Sequence, residues 1–400
     1  MLNPDLDLLN DYPFDRLRGL LDPLDPPADK EKLLLSIGEP RHPAPPMVAE
    51  ALERASGLWG KYPPVDATPA FRRAVADWLT NRYHLPGGMV DPDKNVLPIC
   101  GSREALFLIG HLAVAREKNG KRPVVLVPNP YYHTYSATPL LTGAEAVFVP
   151  ATKETGFLPD FASLDEDILE RTALAYLCSP SNPQGAVADM ETLKATIELA
   201  RKYDFVLAAD ECYAEVYTET PPPGALQACA ELGADGGGLM DNVVIFHSLS
   251  KRSSVPGLRS GFVAGPDEAM RLFRRLRSYS GATLPLPIVE ASTTLWGDET
   301  HVAENRALYK AKFEAAARIL GPRFGDVIPA GAFYLWLDVG DGEAAARKLW
   351  TEGAIRVLPG EYMARTDAQG HNPGAGYVRA ALVHDLETTV EALQRIADIL

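Results

Sequence analysis

Short apolar runs alternate with longer stretches of helical period along most of this chain. Pro123–Val127, Ala173–Cys178, Phe205–Ala209, Val243–His247 and Gly261–Ala264 read as buried strands. Between them, Arg103–Lys118 sets Leu106, Ile109, Leu112 and Ala113 at helical spacing, and Glu191–Tyr203 does the same with Leu193, Ile197, Leu199 and Ala200. Strand and helix in alternation predict an α/β architecture around a mostly parallel central sheet. The chain opens with a Pro-, Asp- and Leu-rich arm holding one short helix, Phe14–Leu21. After residue 285 the texture changes: a long helical region, Val289–Leu320, precedes a strand at Ala332–Leu337 and a last strand at Tyr377–Val383. The predicted organisation is an arm over 1–44 that joins a small lobe, a large lobe over 45–288, and a smaller α+β lobe over 289–400.

Composition narrows the class. Four hundred residues exceed what one core usually supports, which fits two lobes. A formal charge of −14 argues against nucleic acid, which needs concentrated positive surface. No apolar run is long enough for a membrane span, and Met1-Leu2-Asn3-Pro4-Asp5 lacks the basic start of a signal peptide, so a cytoplasmic protein is expected. Cys100, Cys178, Cys212 and Cys229 form no C-x-x-C pair, and the eight histidines show no metal-ligand spacing. Reduced thiols and no metal are expected. The Gly233–Gly238 stretch lacks G-x-G-x-x-G order and precedes a strand, so it reads as a surface loop.

Ligands of parallel sheets sit beyond the carboxyl ends of the strands, so the residues there matter most. Ala173–Cys178 runs into Ser179-Pro180-Ser181-Asn182-Pro183-Gln184-Gly185, Phe205–Ala209 into Asp210-Glu211-Cys212-Tyr213, and Val243–His247 into Ser248-Leu249-Ser250-Lys251. Taken singly, Asn-Pro is a common turn, a strand-end Asp a common cap, and a lysine among serines a common surface residue. Together they line one crevice with an amide, a carboxylate, a phenol and an amine. That set suits pyridoxal phosphate (PLP), which needs a lysine amine, a carboxylate at the pyridine nitrogen, donors beside the phenolic oxygen and a polar cup for the phosphate.

The segment Ser248-Leu249-Ser250-Lys251-Arg252-Ser253-Ser254-Val255-Pro256-Gly257-Leu258-Arg259-Ser260-Gly261 resembles the lysine motif of the fold type I PLP enzymes, in the class I aminotransferase branch. The resemblance extends from residue 33 to the end of the chain. It implies that Lys251 holds the cofactor as a Schiff base and that Ser248, Ser250 and Arg259 bind its phosphate. It implies further that Asp210 pairs with the pyridine nitrogen, that Tyr213 and Asn182 hydrogen-bond the phenolic oxygen, and that Tyr132 stacks on the ring. Gly101-Ser102-Arg103 resembles the start of the phosphate-binding helix. Gly38-Glu39-Pro40 resembles the segment that touches the substrate carboxylate, and Arg379 the arginine that forks it. Tyr62 resembles a tyrosine that reaches the neighbour's phosphate, which implies a homodimer with shared sites. One departure is Ala67, where the family usually has glycine, in a loop with Pro63 and Pro64.

The arm Asn3-Pro4-Asp5-Leu6-Asp7 with Tyr12-Pro13-Phe14, the run Gly38-Glu39-Pro40-Arg41-His42-Pro43 and Asn372-Pro373-Gly374-Ala375-Gly376 resemble bacterial N-succinyl-LL-diaminopimelate aminotransferases. The resemblance implies ping-pong transfer from N-succinyl-LL-2,6-diaminopimelate to 2-oxoglutarate in lysine biosynthesis. Both substrates carry a distal carboxylate, for which Arg41 and Arg365 are the expected partners. The alternatives are another class I aminotransferase, for acetylornithine-like, alanine or aspartate substrates, or a PLP lyase of the same fold.

Overall fold

Twelve strands organise the chain: β1 (Leu33–Leu34), β2 (Val96–Ile99), β3 (Val124–Asn129), β4 (Glu145–Pro150), β5 (Thr172–Cys178), β6 (Val206–Asp210), β7 (Val243–Ser248), β8 (Gly261–Ala264), β9 (Tyr334–Asp338), β10 (Ile355–Arg356), β11 (Leu358–Pro359) and β12 (Tyr377–Ala381), counted among the described residues. The computed structural model describes residues 2, 4–9, 12–234 and 237–400. Met1 and Asn3 of the N-terminal motif, and Asp235 and Gly236 of the glycine-rich stretch, lie outside the described residues.

Seven strands form the large sheet in the order β2-β8-β7-β6-β5-β3-β4. All neighbours are parallel except β8, which runs antiparallel to both β2 and β7. Helices cover both faces, so the inner strands are apolar on both sides. In β3, Val124 and Leu126 enter one core while Val125 and Val127 enter the other. All five strands expected in the large lobe are present. The two unforeseen ones, β2 and β4, are the sheet's edges. β2 is buried throughout but only four residues long and interrupted by Pro98, which edges tolerate, and β4 is mostly half-exposed, so neither stands out as an apolar run in the sequence.

Two helix expectations need correction. Ser102–Ala113 stops five residues before Lys118. Lys118 instead extends its ammonium to the carbonyls of Tyr203 and Asp204, each at 2.7 Å, and to that of Thr172. The region Val289–Leu320 is two helices, Leu286–Trp296 and Thr300–Phe324. Between them Asp298 accepts the His301 amide at 3.0 Å and starts the second helix.

A second core joins Leu17, Leu21, Leu33 and Leu35 of the arm to Tyr309, Leu337, Leu349 and Leu393. Its sheet has the order β11-β12-β9, antiparallel, and β1 pairs in parallel with β10 beside it. Val289, Leu295 and Trp296 pack into the first core. We therefore propose to draw the lobe boundary in residues 297–299 rather than at residue 289.

Candidate active site

Register sets the ends of three adjacent strands level. Cys178 of β5 lies opposite Asp210 of β6, and Asp210 opposite Phe246 of β7. Beyond them opens a cavity of about 350 Å³, whose walls include Asn182, Asp210, Tyr213, Ser248, Ser250 and Lys251. Its other walls come from the N-terminus of the helix Ser102–Ala113, from the arm at Tyr12–Phe14, from Gly38 and Glu39, and from Arg379 on β12. The site thus lies between the lobes.

Lys251 sits on the one-turn helix Leu249–Arg252, which Ser248 caps by accepting the Ser250 amide at 3.2 Å. Its ammonium donates to the Gly38 carbonyl. Burial pushes the ammonium down to about 8, with Arg379 and Arg259 adding to the fall and Cys212 and Glu39 opposing it. The Lys251 amine is therefore partly neutral near neutral pH, the state a nucleophile or base requires. Asp210 is buried, and burial raises its carboxyl above the usual range. It accepts the Cys212 amide at 3.3 Å and the Tyr135 hydroxyl at 2.5 Å. Tyr135 was not foreseen. Its ring stacks on Tyr176 at 4.5 Å, which fixes the hydroxyl under the carboxylate.

Arg379 is almost fully buried. It donates to Asn182 Oδ1 at 2.8 Å and to the Ser36 carbonyl at 2.7 Å, while its Nε is buried without a partner. Tyr334, also unforeseen, lies under this guanidinium at 4.3 Å and shares a 2.8 Å hydrogen bond with the Tyr213 hydroxyl. A Cβ on Gly38 would lie 2.0 Å from the Tyr334 hydroxyl, so glycine is required for the segment to pack there.

Ser102, Ser248, Ser250 and Arg259, the residues expected to hold a phosphate, line the cavity together. Gly101 has φ +80° and precedes the helix, and a Cβ there would meet the Arg259 guanidinium at 2.2 Å. Arg259 donates to the carbonyls of Pro256, at 2.8 Å, and Cys100, at 3.3 Å. The Ser248 hydroxyl bonds the Ser250 hydroxyl at 2.9 Å. Tyr132, half-buried on the cavity wall, accepts from Arg103 Nε at 2.8 Å. Arg103 is exposed to solvent and also lines the cavity. His133 lines the cavity, and burial, then Arg103 and Arg379, hold its imidazole down to about 4.

Three expected residues stand apart. Arg41 is exposed, with its guanidinium 3.4 Å from His384 Nδ1. Arg365 is exposed, and its guanidinium lies 5.9 Å from the Phe148 ring. Neither is among the residues that line the cavity of this chain. Residue type alone does not reveal which way a side chain leaves its backbone. Tyr62 is fully exposed and also outside the cavity of its own chain. Ala67 adopts φ +54°, the left-handed conformation a glycine would take without strain.

A helix N-terminus facing an arginine and paired serines, a carboxylate buried at a strand end, a lysine of lowered pKa and an unpartnered guanidinium nitrogen fit PLP and the carboxylate of an amino acid. On a sheet of this order they define a PLP-dependent enzyme of fold type I. The family model for aminotransferase class I and II matches residues 30–396, and the chain belongs to that family. It is similar to an LL-diaminopimelate aminotransferase of Moorella thermoacetica, 31% identical over 92% of this chain and 90% of the relative. The corresponding protein of Aquifex aeolicus is 29% identical over 91% and 90%. Among solved structures, an aminotransferase from Neisseria meningitidis superposes with a TM-score of 0.92 at 42% identity, over 99% of both chains. Aminotransferase AspB from Helicobacter pylori gives 0.87 at 35%, over 97% of this chain and 98% of its own. The protein is a PLP-dependent aminotransferase.

Proposed function

We propose that this aminotransferase takes its amino group from N-succinyl-LL-2,6-diaminopimelate and delivers it to 2-oxoglutarate. The observation that carries this reading is that two guanidiniums, Arg379 and Arg103, line the same cavity. A dicarboxylate spans such a pair, with its α-carboxylate on Arg379 and its far carboxylate on Arg103. Arg103 thus takes the distal role expected of Arg41 and Arg365. Lysine biosynthesis is the setting this donor implies.

When bound, PLP supplies the electron sink that stabilises negative charge at the substrate α-carbon. The chain's residues do the rest. Asp210, held by Tyr135, would keep the ring nitrogen protonated, and Tyr213 and Asn182 would face the phenolic oxygen. Ser102, Ser248, Ser250 and Arg259 would hold the phosphate, and Tyr132 would cover the ring. Lys251 would carry the cofactor at rest and then move the proton from the α-carbon as base and acid. The fully exposed Tyr62 supports a homodimer in which that side chain enters the partner's site.

A second reading takes free LL-diaminopimelate as donor. The names of the curated relatives favour it, and Glu39 on the cavity wall offers a partner for a distal ammonium. Rates with 2-oxoglutarate separate the two. The first reading expects kcat/KM for the succinylated donor about tenfold or more above that for free LL-diaminopimelate, aspartate or alanine, and Arg103→Met to remove most of that preference. A faster free donor, with Glu39→Gln slowing it, selects the second. Release of pyruvate and ammonia without transfer would point to a lyase. A visible cofactor band that Lys251→Ala retains would refute the site itself.

A further inference from the structure

Lys312 lies in the middle of the helix Thr300–Phe324 and is almost fully buried. Its ammonium meets His42 Nε2 at 2.6 Å and the Leu382 carbonyl at 3.2 Å. On the far side of the ring, His42 Nδ1 lies 2.7 Å from Asn305 Oδ1. The Asn305 amide nitrogen in turn donates to the carbonyls of Lys251, at 3.1 Å, and Arg252, at 3.3 Å.

The polarity of this chain follows from its ends. The Asn305 nitrogen is committed to two carbonyls, so its oxygen faces His42 and must accept. His42 Nδ1 therefore carries the proton, and Nε2 is left to accept from Lys312. Every group has one role, and the series runs from the Lys312 ammonium to the peptide of Lys251. Burial lowers Lys312 to about 8, with Asp385 opposing the fall; burial also lowers His42, opposed by its hydrogen bond to Asn305 and aided by Lys312. A buried ammonium of this kind costs stability, so packing alone does not account for it.

The segment that bears His42 also reaches the other end of Lys251. Gly38 accepts from the Lys251 ammonium, and Ser36 accepts from Arg379. Residues 36–42 thus touch the carboxylate-binding arginine, the lysine side chain and, through Asn305, the lysine main chain. We propose that His42 and Asn305 are positioning residues for Lys251, held in one hydrogen-bonding state by Lys312, and that the strap 36–42 aligns the lysine amine with the substrate seated on Arg379. Neither His42 nor Asn305 lines the cavity, so both act through Lys251 rather than on substrate.

The test uses the PLP-loaded protein and the variants His42→Phe, which keeps a ring without hydrogen bonds, His42→Asn, whose amide can replace the Nδ1 donor, and Asn305→Ala. Misplacing the amine slows the proton transfer that Lys251 performs. In His42→Phe and Asn305→Ala, kcat is expected to fall about tenfold or more with KM within about twofold, and the isotope effect with α-deuterated donor to rise. Independently of turnover, the pH midpoint of the visible cofactor band without substrate is expected to move by about half a unit or more. His42→Asn should recover most of both losses. Should His42→Phe not fold, Asn305→Ala decides alone, because it removes the last link and leaves the ring in place. Melting temperatures that fall while kcat, the isotope effect and the band midpoint stay at wild-type values would overturn the proposal, as would a rise in KM alone. The inference rests on Lys251 carrying the cofactor; that reading fails separately, if Lys251→Ala keeps the visible band.

Discussion

Two lysines in this chain share a pKa pushed down to about 8, and they use it differently. Lys251 faces the cavity. Before cofactor binds, its neutral fraction grows as pH rises, so the rate at which cofactor-free protein captures PLP is expected to climb through a midpoint near 8 and then level. Stopped-flow absorbance measures this, and a rate independent of pH between 6 and 9 (a range chosen about that midpoint) would contradict it. Lys312 is shut away from the cavity, and its consequence is for stability. Its folded pKa lies below the 10.5 of a free lysine, so between the two the unfolded chain binds more protons and stability rises with pH. Lys312→Met is therefore expected to melt higher than wild type at pH 7, with the advantage shrinking towards pH 10. Melting curves at both pH values check the sign. At this scale the grouping was legible: Lys251, Asp210, Asn182 and Arg259, read from strand ends and the lysine segment, line one cavity. Tyr135, Tyr334 and His42 were not, because their partners Asp210, Tyr213 and Asn305 are distant in sequence and no local pattern announces the pairing.

At the scale of elements, legibility followed the length of the apolar run: β2, buried throughout, is only four residues long and broken by Pro98. The inner strands β3, β5, β6 and β7 are buried at nearly every position, and the sequence displays them as apolar runs. Edge strands and element ends depend on what lies beside them. The helix that begins at Ser102 ends early because Lys118 is drawn to carbonyls of other segments, a tertiary demand that overrides helical period. The same helix supports a prediction at its other end. Gly101 is both left-handed, at φ +80°, and within 2.2 Å of the Arg259 guanidinium once a Cβ is added. Gly101→Ala is expected to weaken PLP binding about tenfold or more by tilting the helix N-terminus and displacing Arg259 together. Titrating cofactor-free protein while following the visible band measures this, and an unchanged affinity would separate the glycine from the phosphate cup.

For the whole molecule, the proposed homodimer makes a prediction that one chain cannot satisfy. Tyr62 is fully exposed, and Trp59 and Tyr279 are also largely exposed. If Tyr62 serves the partner's site, Tyr62→Phe should bind PLP less tightly, and mixing it with Lys251→Ala should form hybrids that regain activity. In a hybrid, one site has an intact Lys251 from one chain and an intact Tyr62 from the other. No gain on mixing and re-equilibrating the two variants would mean that each site is complete within a chain. The second core was legible as a change of texture along the chain, but which core receives Leu286–Trp296 was not, since that helix carries the same period either way.

The second core also imposes an order of events on synthesis. Leu33 of β1 pairs with Ile355 of β10, and Leu17 and Leu21 pack among residues as late as Leu393. At typical ribosomal speeds the arm waits on the order of tens of seconds for those partners to emerge. During that interval the large lobe can close around its own sheet while the arm's leucines stay uncovered. A nascent chain stalled before β10 would therefore present a folded lobe with a loose apolar strand, the kind of species that chaperones bind and that pairs wrongly with its neighbours.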